Sequence, residues 1–183
     1  MDKMKPVFQA LNKELIQENL TLTIICVDGY VLEYHGLRAT QDVDAFYDQN
    51  QKINEIIARV GKQFNLNTHE ELWLNNHVAN MNKQPPLSLC ESLYSFENLT
   101  VLVVPIEYVL GMKMMSIREQ DLKDIGAIIK YKNFHSPFDT FNPNHSYLSQ
   151  LDVTYKTPDL MSHFLPPHEV SFTFCCSSIV FPR

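Results

Sequence analysis

Basic charge and glycine are both scarce in this chain: 15 Lys and Arg stand against 21 Asp and Glu in 183 residues, for a formal net charge of −6, and there are 5 glycines. That balance argues against a protein that coats duplex nucleic acid, because neutralising phosphates takes clustered Lys and Arg. A local basic cleft stays open. There is no P-loop, and no G-x-S-x-G elbow presents a serine nucleophile. The 7 histidines lack the i, i+4 pair with a glutamate that zinc hydrolases use. Cys26, Cys90, Cys175 and Cys176 show no C-x-x-C spacing, so free thiols in a reducing cytoplasm are expected. No apolar run approaches bilayer length, and Met1-Asp2-Lys3-Met4-Lys5-Pro6 leads into no apolar signal segment. The expected location is the cytoplasm, without membrane contact.

What is present suffices for one domain with a sizeable core, since 45% of residues are hydrophobic and 20% charged. Apolar spacing predicts helices over Pro6 to Asn19 and Asn50 to Phe64, the latter with Ile53, Ile56, Ile57, Val60 and Phe64 on one face. Two more are predicted beyond Pro105, bearing Tyr108, Met112 and Met115, and from Ile117 to Tyr131. Strands are predicted over Leu20 to Val27, Asp42 to Phe46, Leu87 to Phe96 and Leu99 to Val104, with a hairpin at Glu97-Asn98. A short helix over Tyr30 to His35 would follow a turn marked by Gly29, its amides able to face an anion. Trp73-Leu74 reads as a helical core anchor, His69-Glu70-Glu71 as a helix start, and the methionines at 112, 114 and 115 as core. The fold class is α/β (α+β): a mixed sheet packed by helices. Residues 1–132 form the domain; 133–183, interrupted by prolines and strand-like only at Glu169 to Phe181, are an irregular C-terminal segment.

The chemistry concentrates at Asp42-Val43-Asp44. On an extended segment, residues two apart share a face with α-carbons about 6.5–7 Å apart. Mg²⁺ takes one or two protein carboxylates and leaves its other positions to water and phosphate oxygens, so such a pair suits phosphoryl or nucleotidyl transfer. Asp-x-Asp is also common on solvated strand faces; its context here is an apolar strand, Asp28-Gly29, a short segment and Arg38.

The run from Val27 to Asp44 resembles the signature of the minimal nucleotidyltransferases of the DNA polymerase beta-like superfamily, in the toxin-type branch related to abortive-infection proteins. The second block, Leu110-Gly111-Met112-Lys113 through Arg118, Asp121, Asp124 and Ile125, is similar to their later helix pair. Trp73-Leu74-Asn75 and Phe96-Glu97-Asn98-Leu99 fit between them, and the resemblance spans about residues 5–132. It implies that Asp42 and Asp44 hold one or two Mg²⁺ (or Mn²⁺) ions, about 3.5–4 Å apart in a two-metal site. It implies, too, that Gly29 lets the backbone approach the phosphates. A third carboxylate is expected, Asp121 in preference to Glu91. Lys113 is either a triphosphate ligand or a solvated helix lysine. Arg38 and Thr40 either bind phosphate or base or order their loop, and Arg118 with Asp121 and Asp124 is either catalytic or a helical charge network. One departure stands out: Asp28 fills the first place of the family's glycine pair, where a carboxylate repels a triphosphate.

The expected activity is transfer of a nucleoside monophosphate from an NTP to an RNA or protein acceptor, in a toxin with a cognate antitoxin. The competing readings are a binding or regulatory protein that kept the fold without catalysis, and a metal-dependent nuclease built on the same carboxylates.

Overall fold

A computed structural model describes residues 3–67, 72–80, 84–116 and 118–134. Its order is α1 (Lys5–Gln17), β1 (Leu22–Cys26), α2 (Asp28–Tyr34), β2 (Val43–Phe46), α3 (Gln51–Gln63), β3 (Leu74–Asn75), β4 (Glu91–Ser95), β5 (Leu99–Val103), α4 (Ile106–Ser116) and α5 (Glu119–Lys132). The five strands make one mixed sheet in the order β3-β2-β1-β5-β4. β1 runs parallel to β5 and antiparallel to β2, β2 is parallel to β3, and β4 and β5 form the expected hairpin. The α/β class with helices packed on a mixed sheet is therefore present. No described helix is long and apolar enough to cross a membrane. Segment 135–183, with Glu169 to Phe181, Cys175 and Cys176, lies outside the described residues, as does His69-Glu70-Glu71.

Local chemistry explains where elements start and stop. Asn19 adopts a left-handed conformation (φ 51°) and the Leu20 amide bonds back to Leu15 O at 2.9 Å, so β1 starts at Leu22 and not at Leu20. Asn50 caps α3, its side chain accepting from the Ile53 amide at 2.9 Å. Asn133, left-handed at φ 55°, closes α5. The strand predicted from Leu87 instead opens with a 3-10 turn over Leu87–Leu89. Pro86 sets it up by accepting from the Leu89 amide at 3.0 Å, and pairing starts at Glu91.

Two predictions are corrected by packing. Trp73-Leu74 is not helical: Leu74–Asn75 is an added strand, joined to β2 by Val43 N donating to Trp73 O at 2.7 Å. Two residues carry too short a pattern to reveal a strand. The methionines do not fill the core either; Met115 is 45% exposed and Met112 and Met114 are half-buried, while the inward place on α4 goes to Lys113.

The core closes around Phe8, which is fully buried and meets the rings of Tyr30 and Trp73, each at 5.8 Å. Trp73 is held against α3 by its Nε1 donating to Ile57 O at 2.9 Å, and Asn67 by its amide donating to Ala58 O at 2.9 Å. Gly61 makes room for both, because a β-carbon there would run into the Asn67 carboxamide and the Trp73 ring. Gly→Ala in a helix ordinarily gains about 1 kcal/mol. Here the overlap reverses the sign, and Gly61→Ala should lose about 1–3 kcal/mol in urea unfolding.

Candidate active site

The turn out of β1 builds one wall of the site. Val27 N donates to Asp44 O at 2.9 Å, which sets the start of β2 directly beside the β1–α2 turn. Asp28 follows at φ 47°, a left-handed conformation that Asp and Asn tolerate better than other side chains and glycine best of all. Asp44 lies within β2 and Asp42 just before it. Both line a single cavity of about 600 Å³, together with Asp28, Arg38, Thr40, Lys113, Arg118 and Asp121. The two acids thus face the same space.

The loop between α2 and β2 is tied in place. Thr40 donates its hydroxyl to Asp42 Oδ1 at 2.9 Å and its amide to Glu33 Oε2 at 2.7 Å. Gly29 is buried, and the position of its missing β-carbon is taken by Arg38 Nη2, 2.7 Å away, and Thr40 Oγ1, 3.0 Å away. Its bareness serves the seating of those two side chains. Arg38 Nη1 is 3.7 Å from Asp124 Oδ2.

Behind the cavity lies a charge cluster. The Lys113 ammonium, its side chain 3% exposed, sits 2.8 Å from Asp121 Oδ1, 2.9 Å from Asp124 Oδ2 and in contact with Asp28 Oδ1. A solvated helix lysine is thereby overturned: burial opposes its charge, but Asp121, Asp28 and Asp124 more than compensate and raise its pKa. Arg118 clasps Asp121, Nε donating to Oδ2 at 2.7 Å, while the Arg118 amide donates to the same oxygen at 3.3 Å, half of a capping box at the start of α5. Burial alone would push the Asp121 carboxyl up; hydrogen bonds from Arg118, Lys113 and Ser116 instead hold it well below the usual carboxylate range. Glu91, the other candidate third carboxylate, is exposed on β4 and does not line the cavity.

Asp44 responds in the opposite direction. Burial, then the charges of Asp42 and Asp28, raise its pKa, against a hydrogen bond from Asn75 and the charge of His77. Asn75 is paired in register with Asp44 on β3, and its Oδ1 accepts from the His77 amide at 3.2 Å. Sequence reasoning missed Asn75 as a partner of the acidic pair, because the strand that brings it there is two residues long. It also missed that Asp124 and Asp28 converge on Lys113, although the i, i+3 spacing of Asp121 and Asp124 does place both on one helix face.

The residues present fit a hard divalent cation. Asp42 and Asp44 face one cavity, and burial together with repulsion from Asp42 and Asp28 disfavours the ionised form of Asp44, which a cation would relieve. Among the described residues no group of three or more His, Cys, Asp or Glu is arranged to ligate a metal, so the remaining positions of a bound ion would fall to water and phosphate oxygens, as is usual for Mg²⁺.

Removing Lys113 takes away the buried cation that three acids share and leaves them only Arg118 and the more distant Arg38, so Lys113→Met should cost about 3–5 kcal/mol in denaturant unfolding. Asp121 supplies the pH dependence. Its folded pKa lies below the ordinary value of 3.8, so its contribution is complete above about pH 4 and fades as pH falls further. The stability gap between the wild type and Asp121→Asn should therefore narrow between pH 5 and pH 2, each pH about one unit or more from that value; an unchanged gap would contradict the charge assignment.

No curated protein and no solved structure matches the chain. A family match covers residues 2–136, from before α1 to just past α5, and includes every residue lining the cavity. The chain belongs to the family described as nucleotidyltransferase of unknown function (DUF6036).

Proposed function

We propose that the protein is a divalent-metal-dependent nucleotidyltransferase that moves a nucleoside monophosphate from an NTP to a hydroxyl of RNA or protein. The observation that supports this most is the placement of Asp42 and Asp44 in one cavity with Arg38 and Arg118 beside them. In the reaction, the acceptor oxygen bonds to the α-phosphorus as the bond to pyrophosphate breaks, and the acceptor proton leaves to solvent. Asp42 and Asp44 would hold Mg²⁺ or Mn²⁺, which supplies charge neutralisation at the phosphoryl oxygens when bound.

The other roles belong to the chain itself. Thr40 holds Asp42 and Asn75 holds Asp44, which limits the rotamers of the two acids before substrate arrives. Arg118, 67% exposed, and Arg38 offer planar donors to phosphate oxygens. Asp121, clasped by Lys113 and Arg118, acts as their anchor, and those hydrogen bonds lower its basicity toward an acceptor proton. The resemblance to the abortive-infection branch supports a toxin neutralised by a cognate antitoxin. The buried Cys26 and half-buried Cys90 are in keeping with work in the reducing cytoplasm. The contact between Asp28 and Lys113 favours a second reading, a nucleotide-binding protein of this fold without turnover.

Incubation of the protein with total RNA, Mg²⁺ or Mn²⁺ and each α-labelled NTP separates these readings. Label should pass to RNA or protein only with metal present, and Asp42→Asn or Asp44→Asn should reduce transfer about 100-fold or more. RNA cleavage without NTP would mean a nuclease. Metal-dependent NTP binding without transfer would mean the binding protein, and transfer that survives both substitutions would refute the site.

A further inference from the structure

We propose that the Asp28 carboxylate occupies the place of a substrate phosphate in front of Lys113, and that it thereby makes nucleotide binding depend strictly on a divalent cation. The proposal rests on the nucleotidyltransferase reading of the same cavity. An ammonium has three N–H donors, and Lys113 faces three carboxylate oxygens: Asp28 Oδ1, Asp121 Oδ1 and Asp124 Oδ2. Its hydrogen bond goes to Asp121 Oδ1 and the other two oxygens are close ion-pair partners, so three acids crowd one ammonium. A phosphate oxygen reaches Lys113 only by displacing one of them.

Exposure identifies which one. The side chains of Asp121 and Asp124 are 1% and 4% exposed and belong to α5, whereas Asp28 is 23% exposed and lines the cavity. Asp28 therefore stands between the ammonium and the entering ligand. Its backbone is left-handed at φ 47°, a conformation that L-residues adopt sparingly, and this geometry turns the carboxylate toward Lys113, with Arg118 Nη2 3.9 Å from its other oxygen.

The consequence concerns charge. With Asp28 in place, an unmetallated triphosphate meets Asp28, Asp42 and Asp44 in the cavity while the nearest buried cation is already surrounded by three acids. A cation on Asp42 and Asp44 reverses the sign of that part of the field, and nucleotide enters as its metal complex. Without the Asp28 charge, Lys113 keeps Asp121 and Asp124 as partners, so the cluster stays compensated and one N–H donor turns to the cavity.

Two substitutions separate charge from backbone. Asp28→Asn keeps volume and tolerance of the left-handed conformation but removes the charge, and Asp28→Gly removes the side chain altogether. The full chain and both variants, shown to be folded by circular dichroism, are titrated by calorimetry with inorganic tripolyphosphate and with each of the four NTPs, in Mg²⁺ or in EDTA. Wild type should bind only in Mg²⁺. Both variants should bind Mg-NTP about tenfold or more tightly and gain tripolyphosphate binding in EDTA. Binding by the variants alone would also support the proposal, as the limit of a strong competitor. If wild type binds Mg-NTP and Asp28→Asn matches it within about twofold in both conditions, the competitor role is refuted while the enzymatic reading stands. If no form binds any ligand, both fall.

Discussion

A buried ammonium in a ring of three carboxylates holds the functional half of this fold together. Lys113 comes from α4, Asp28 from the start of α2, and Asp121 and Asp124 from the first turns of α5. Those elements are joined by charge where the sheet has no hydrogen bonds to offer. The arrangement spreads outward, because Asp124 also faces Arg38 and Asp121 is clasped by Arg118, so the loop before β2 and the α4–α5 junction take their positions from the same centre. Such a cluster gives little net stability over a well-packed apolar replacement, and loss of one partner is costly. It acts as a fixed point for the cavity wall.

The cavity lies where this cluster meets the sheet, and its two sides have opposite electrostatic tendencies. On the α4–α5 side each acid has a close cation, and Asp121 is held ionised. On the β2 side Asp44 has acids for neighbours and is disfavoured in its charged form. In the proposed reaction a divalent ion would take the second side, and phosphate the Arg118 and Arg38 side. Asp28 pairs with Lys113 on the first side while its charge acts on Asp44 on the second, which is why one unusual residue would bear on metal dependence and affinity together.

The helices and main strands were legible because each has enough residues to display a period. α3 shows its apolar stripe of Ile53, Ile56, Ile57 and Val60, and β1 and β5 are near-continuous apolar runs. β3 was not legible, since a two-residue strand has no period, and its existence depends on the Trp73 ring locking onto α3 through Ile57 O. α4 was misread in detail for a related reason. Burial of a lysine on a helix is disfavoured unless partners from other elements compensate it, and hydropathy sees no partners.

The sequence by itself determined the α/β class, the order of the helices and of the strands other than β3, the acidic pair at 42 and 44 and the second block from Lys113 to Asp124, because these depend on spacing along one chain. Tertiary structure alone decided that Lys113 faces inward, that Gly29 is bare to seat Arg38 and Thr40, that Asn75 stands next to Asp44, and that Asp28 meets an ammonium before any phosphate does. The reason is physical: an ionic side chain goes where its counter-ions are, and here they come from segments as far as 96 positions apart, the separation of Asp28 from Asp124.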